Sequence, residues 1–192
     1  MTSRALERGD RVFLRHPVER DEAAFLAAVR SSRELHLPWT HLPETPQGFR
    51  SLLERQQQPT EEVHLICRNE DAEMVGLANL SQIVLRDFRS AYLGYSAFAP
   101  YEGQGYMSEG LRLVLRRAFG AVGLHRVEAN VQPDNARSIA LVEHLGFRRE
   151  GYSPEYLKIG GEWRDHVRYA ILAEEFVTTE TARRGRPPRD RA

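Results

Sequence analysis

Hydrophobic and polar positions follow two periods along this chain, and the places where one period gives way to the other divide it into elements. Val12-Phe13-Leu14-Arg15 reads as a short strand ended by Pro17. From Val18 to Arg33 the spacing is helical: Phe25, Leu26 and Val29 share a face, and Asp21 and Glu22 stand near the start, where the helix dipole favours acidic groups. Leu35 to Pro43 is punctuated by proline and unusually rich in large side chains for a loop. Thr45-Pro46 then supplies an N-cap and a first-turn proline for a second helix with Phe49, Leu52 and Leu53 as its stripe. Glu62 to Arg68, Met74 to Leu85 and Ala91 to Phe98 follow as strands joined by short polar turns, the pattern of an antiparallel meander.

Beyond Phe98 the period changes again. Met107, Leu111, Val114, Leu115 and Ala118 form one stripe of a helix running through Phe119, with Gly123 at its exit. His125 to Gln132 alternates as a strand. Asn135 opens a helix over Ala136 to Leu145, and Gly146 stops it as a left-handed residue. Phe147 to Ile159, a Gly160-Gly161 turn and Glu162 to Leu172 close the pattern as a hairpin. Strand–helix–strand–helix–strand after a meander implies an α/β (α+β) fold with a mixed sheet and helices on both faces. Residues 1–10 read as a flexible start, 11–176 as a single domain, and 177–192 as a disordered Arg/Pro-rich tail.

Composition narrows this picture only a little. With 192 residues the chain is long enough for one well-filled core. Lys+Arg and Asp+Glu are both 27, so net charge gives no pointer to nucleic acid or membrane. The single cysteine, Cys67, excludes an internal disulfide and reads as core packing, and the seven histidines show no clustered ligand spacing. No apolar run approaches the length of a membrane span, which makes a cytoplasmic protein the expectation.

Chemistry enters at Tyr101-Glu102-Gly103-Gln104-Gly105-Tyr106-Met107-Ser108, between a strand and a helix. A G-x-G turn there lets the backbone approach a ligand, and forward-pointing amides at a helix N-terminus favour an anion. Two readings stand side by side: a phosphate or pyrophosphate cradle, and a turn that only tightens the strand–helix join.

The order and spacing of these features decide between them. A meander strand leads into the G-x-G turn and an amphipathic helix, and Asn135 opens a short helix ending in Leu145-Gly146-Phe147. This resembles the GCN5-related N-acetyltransferase superfamily. Gly151-Tyr152, Tyr156-Leu157-Lys158-Ile159, Gly161 and Trp163-Arg164-Asp165-His166-Val167 extend the likeness to its ribosomal-protein-alanine N-acetyltransferase branch. The resemblance implies a mostly antiparallel seven-stranded sheet splayed between strands 4 and 5, acetyl-CoA as co-substrate, and no metal. It implies that the amides of Gly103, Gln104, Gly105, Tyr106 and Met107 grip the pyrophosphate. Gly94 would mark a bulge at the splay, the backbone of Ala97-Phe98-Ala99 would pair with the pantetheine arm, an amide near Phe98 or Ala99 would supply the oxyanion donor, and Asn135 would act as ligand contact or as helix cap. Pro100 stands where the family places an Arg or Gln side chain.

Amine acetylation needs a base for the ammonium, a donor for the oxyanion and an acid for the leaving thiolate. By the same resemblance Glu155 and Glu128 compete as the base, with Glu155 favoured. Val142 replaces the family's common tyrosine acid, so Ser138 is the candidate acid and Tyr156 the reserve. Trp39 and Asp165 are the candidate acceptor contacts; Asp165 can alternatively pair with Arg164 or Arg168. The acceptor is expected to be a protein N-terminal amine, as on a ribosomal protein. The alternatives are a small amine such as an antibiotic or metabolite, or a CoA-binding sensor without turnover. The run Arg183-Arg184-Gly185-Arg186-Pro187-Pro188-Arg189 leaves ribosome or nucleic-acid contact open, and homodimerisation is also left open.

Overall fold

The computed structural model describes residues 5–184. One sheet of eight strands runs in the order β1-β2-β3-β4-β5-β6-β8-β7. Its strands are β1 (Glu7–Arg8), β2 (Val12–Arg15), β3 (Glu62–Arg68), β4 (Met74–Val84), β5 (Ser90–Ala97), β6 (Arg126–Val131), β7 (Arg148–Ile159) and β8 (Glu162–Leu172). Neighbours pair antiparallel except β5 and β6, which run parallel. Parallel neighbours need a long crossover, and helix α4 (Tyr106–Phe119) provides it.

The helices divide between the two faces. α4 and α5 (Ala136–His144) cover one with Leu111, Val114, Leu115 and Val142, over Val127, Ala129, Val167 and Ile171. On the other, α1 (Glu22–Ser31) and α3 (Pro46–Gln56) bring Phe25, Val29, Phe49 and Leu52 onto Val63, Leu65, Cys67 and Leu77. Phe25 sits 5.0 Å from Phe49 and 5.8 Å from Phe98, ring centre to ring centre, and all three are fully buried. Thr45 accepts from the Gly48 amide, the cap its position implied. Cys67 is buried in this second core, and burial pushes its thiol up to about 11.

Four expectations need correction. The sheet has an eighth strand, because Glu7 and Arg8 pair with Leu14 and Phe13 inside the stretch read as a flexible start; two residues are too few to display a period. The first helix is broken into a 3-10 turn (Glu19–Asp21), α1 and a short α2 (Arg33–His36). Ser32 makes the break, its hydroxyl donating to the Ala28 carbonyl at 2.6 Å, a local bond that competes with helix continuation.

The third correction is the start of the tail, since α6 (Ala173–Arg184) is helical through residues assigned to disorder. Phe176 packs on Phe119 at 5.5 Å, Glu175 accepts from the Leu172 amide, and Glu180 meets Arg112 at 3.4 Å. These tertiary contacts hold a segment whose own period is weak. Residues 185–192, with most of the Arg/Pro run, lie outside the described residues. Fourth, the β4–β5 irregularity falls between Ser81 and Val84, with Gln82 at φ 51, whereas Gly94 pairs regularly with Asn79. A Cβ on Gly94 would come within 2.6 Å of the Asn79 side-chain oxygen, so glycine serves a close approach there.

Candidate active site

The G-x-G turn presents open backbone. Gly103 and Gly105 have φ of 74 and 81, a region costly for residues with a Cβ. Gly105 is the N-cap of α4 with no side-chain cap. The amides of Gly105, Tyr106 and Met107 have no protein acceptor among the described residues. Gln104 turns its side chain to the Pro100 carbonyl. A cation reaches the turn from another element: Arg11 donates to the Gln104 carbonyl at 3.1 Å, lies 4.8 Å from the Tyr106 ring centre and pairs with Glu109.

Beside this turn the sheet parts. β5 and β6 pair from Ser90/Arg126 to Tyr92/Glu128, and beyond that register they no longer face one another. The Phe98 amide donates to the Val75 carbonyl across β4 at 2.9 Å, while the Ala97 carbonyl accepts from His36 Nε2 at 2.8 Å on the opposite side. Alternation therefore aims the peptide groups of Leu93 and Tyr95 at the gap as well. Phe98 and Ala99 are not available as expected, because the Ala99 amide donates to the Ser32 hydroxyl at 2.9 Å and the Phe98 amide is held by β4. The same Ser32 that breaks the first helix thus ties the end of β5.

A cleft of about 1010 Å³ fills the gap, bounded by β5, β6, β7, the start of α5 and the segment after α2. Asn135 caps α5, its side-chain oxygen accepting from the Ser138 amide at 3.1 Å, and both residues line the cleft. Ser138 Oγ is 2.5 Å from the Tyr95 hydroxyl. Burial pushes Tyr95 up to about 12, so it keeps its proton at neutral pH. Trp39 lines the mouth, its carbonyl accepting from Gln132 Nε2 at 3.0 Å.

The competing carboxylates are placed differently. Glu155 is exposed at a break in the β7–β8 register, with φ 46, and lies outside the residues that line the cleft. Its backbone amide donates to Asp165 at 2.7 Å. Asp165 also accepts from the Tyr152 hydroxyl, which holds its carboxyl below the usual range, so it braces the β7 break; Arg164 pairs with Glu162 instead. Glu128 is half-buried but committed to Arg126 at 2.9 Å.

Asn130, Tyr156 and His166 line the cleft. On the face of β6 and β8 away from α4 and α5, Asn130 donates to the Tyr156 hydroxyl at 3.3 Å, and its own side-chain oxygen is buried without a partner among the described residues. Tyr156 also bonds Tyr92, and burial together with that bond pushes it up to about 12. His166 is 3% exposed, packs against Tyr156 at 5.6 Å and lines the cleft. Period-two alternation in β6 and β8 was the one sequence signal available for Asn130 and His166. It marks a shared face without saying that the face lines a cavity.

The model of the acetyltransferase (GNAT) domain matches residues 11–148. The chain belongs to the GNAT acetyltransferase family. The ribosomal protein uS5-alanine N-acetyltransferase of Escherichia coli (strain K12) is 40% identical over 108 residues, 56% of this chain and 56% of that protein. The chain therefore spans about half the length of the curated relatives it matches first. Mycobacterium smegmatis RimJ in complex with CoA-disulfide superimposes with a TM-score of 0.81 at 30% identity, covering 91% of this chain and 90% of that one. The spermidine N(1)-acetyltransferase of Vibrio cholerae is 24% identical over 178 residues, 92% of this chain and 95% of its own. The GNAT reading agrees with the mixed sheet and its parting beside a glycine turn. Among the described residues there is no group of three or more His, Cys, Asp or Glu side chains placed to hold a metal ion, and no helix is long and apolar enough to cross a membrane.

Proposed function

We propose that this protein is an acetyl-CoA-dependent N-acetyltransferase that transfers acetyl directly to the α-amine at a protein N-terminus. One observation carries the reading: β5 runs from the point where it parts from β6 directly into the turn whose amides stand open at the α4 N-terminus. Anionic phosphates suit the amides of Gly103, Gln104, Gly105, Tyr106 and Met107, with Arg11 adding a charge. The amide-rich pantetheine arm suits the β5 edge beyond the last β6 pair, at the Leu93 carbonyl and the Tyr95 peptide group, which take the place first assigned to Phe98 and Ala99. Asn135 borders the arm on the other side. Ser138 donates a proton to the leaving sulfur and is backed by the Tyr95 hydroxyl. The similarity to a uS5-alanine acetyltransferase and to a RimJ bound to CoA-disulfide supports the same donor and acceptor classes.

The cleft favours a peptide end over a polyamine. Arg55 and Lys158 line it, and no Asp or Glu does among the described residues. A polycation would find repulsion there, whereas a peptide carries one ammonium and several carbonyls. Trp39 forms the wall along which such a peptide would lie. The similarity to a spermidine acetyltransferase supports the small-amine alternative. Acetyl transfer to peptides beginning with Ala or Ser, run beside spermidine and a panel of small amines, separates the two; peptides left untouched while a small amine turns over would sink the proposed reading.

A further inference from the structure

Resting on the acetyl-transfer reading above, we infer that His166 is the proton acceptor for the incoming ammonium, through Nε2, and that Asn130 positions that amine beside it. The geometry starts from the ring itself. His166 Nδ1 lies 3.0 Å from the Arg164 carbonyl. A carbonyl only accepts, so Nδ1 carries the ring proton and Nε2 carries the lone pair. Nε2 has no hydrogen-bond partner among the described residues, and the residue lines the cleft. The bond to Arg164 survives when Nε2 gains a proton, so the ring keeps its orientation in both states.

Placement agrees with the task. In β8 the buried Val167, Tyr169 and Ile171 face α4 and α5, which directs His166 and Arg168 to the other face. Asn130 is opposite Arg168 in the β6–β8 register and shares that face. Ser138 and Tyr95 belong to the α5 side. Base and acid therefore flank the parted sheet from opposite faces, one toward the amine and one toward the leaving sulfur. The unpartnered Asn130 oxygen gives an amine N–H an acceptor within the same pocket.

The charges around His166 keep it neutral before substrate arrives. Burial pulls it below the usual histidine range, opposed by its bond to Arg164 and by Asp165. From β7 it meets Tyr156, which stays protonated, with Lys158 along the same wall. Arg55 of α3 and His41 of the segment after α2 line the cleft as well. On its own strand Arg168 follows, and from β6 Glu128 is neutralised by Arg126. In the reaction, Nε2 takes one proton from the ammonium, the freed nitrogen lone pair attacks the thioester carbonyl, and the C–N bond forms. The C–S bond then breaks, the sulfur receives a proton from Ser138, the nitrogen's second surplus proton restores Ser138, and His166 returns its proton to solvent.

The test uses the full chain with acetyl-CoA and a peptide beginning with Ala, measuring kcat at saturating substrates against pH. Wild type should show an acidic limb with a midpoint below 6.5. His166→Gln should lower kcat by about 10²-fold or more, lose that limb, and rise with pH as free amine becomes available, with CoA affinity by calorimetry changed less than about 3-fold. Glu155→Gln should keep the limb whatever it does to the rate. A His166→Gln enzyme that retains rate and limb, or a limb that vanishes with Glu155→Gln instead, overturns the proposal. Because His166 is buried, the wild-type protein offers a second check by nitrogen NMR of the histidine rings. An Nδ1–H tautomer titrating below 6.5 supports the assignment, and an Nε2–H tautomer overturns it. Wild type that binds CoA yet acetylates no amine would overturn the acetyl-transfer reading itself, and this proposal with it.

Discussion

The Ser138 side chain stands 2.5 Å from the Tyr95 hydroxyl, joining the first turn of α5 to the strand that leads into the glycine turn. The contact spans the two elements that border the donor half of the cleft. Because Tyr95 retains its proton, it can donate to Ser138 Oγ and leave the serine proton directed elsewhere. Ser138→Ala should lower kcat by about 10²-fold with little change in CoA affinity. Tyr95→Phe should lower it by less. Steady-state kinetics beside calorimetric titration of CoA checks both.

The glycine turn makes a second prediction. Gly105→Ala forces a Cβ into a left-handed residue and places it 3.1 Å from the Arg11 guanidinium. Strain of about 1–2 kcal/mol should appear as roughly ten-fold weaker CoA binding. Gly103→Ala carries the same backbone penalty but meets nothing within 4 Å, so its effect should be smaller. Unaltered CoA affinity in both variants would remove the turn from the phosphate site.

Acid should loosen the molecule at a group that does not line the cleft. Glu62 joins fully buried His64 at 3.1 Å and Arg117 at 2.7 Å. Burial alone would raise the Glu62 carboxyl, but the bonds from His64 and Arg117 outweigh it and hold it at about 2, below the ordinary 4.5. A depressed carboxylate stabilises the fold above pH 4.5, and that stability is lost as pH falls toward 2. His64 is also depressed, by burial, so protonation of the unfolded chain begins to cost stability below about 6.5. Both groups act in the same direction. Urea midpoints measured from pH 7.5 down to 3 should fall steadily, and Glu62→Gln should flatten the part below about pH 4.5.

The second core is built around aromatic contacts. Phe98 is fully buried against Phe25, with the His36 ring 6.1 Å away. Phe98→Ala should cost about 3–5 kcal/mol and Phe98→Leu markedly less, read from urea midpoints at unchanged slope. Activity in Phe98→Ala should fall further than stability alone explains, because the ring packs on His36, which holds the Ala97 carbonyl at the end of β5.

Much of the donor half was legible in one dimension. The G-x-G turn, the Asn135 cap and the stripe of α4 are local features, and each depends on a few neighbouring residues whose conformational preferences are carried by the sequence itself. The acceptor half was not. Glu155 stands where the resemblance puts a base, yet the register break between Ser153 and Leu157 turns it toward solvent. His166 looked like one polar residue in a charged run, and only pairing with β6 and β7 turns it into the cleft.

Local periodicity and turn chemistry thus determined most of the element order and the glycine turn, and the order and spacing of the motifs carried the resemblance to the family. Tertiary structure decided which backbone groups are free: Ser32, far away in sequence, claims the Ala99 amide, and Arg11 reaches the Gln104 carbonyl from β2's approach to the turn. It also decided which titratable groups are buried and paired. Pairing and burial depend on residues brought together from distant positions, and a single chain read in order carries no measure of that distance.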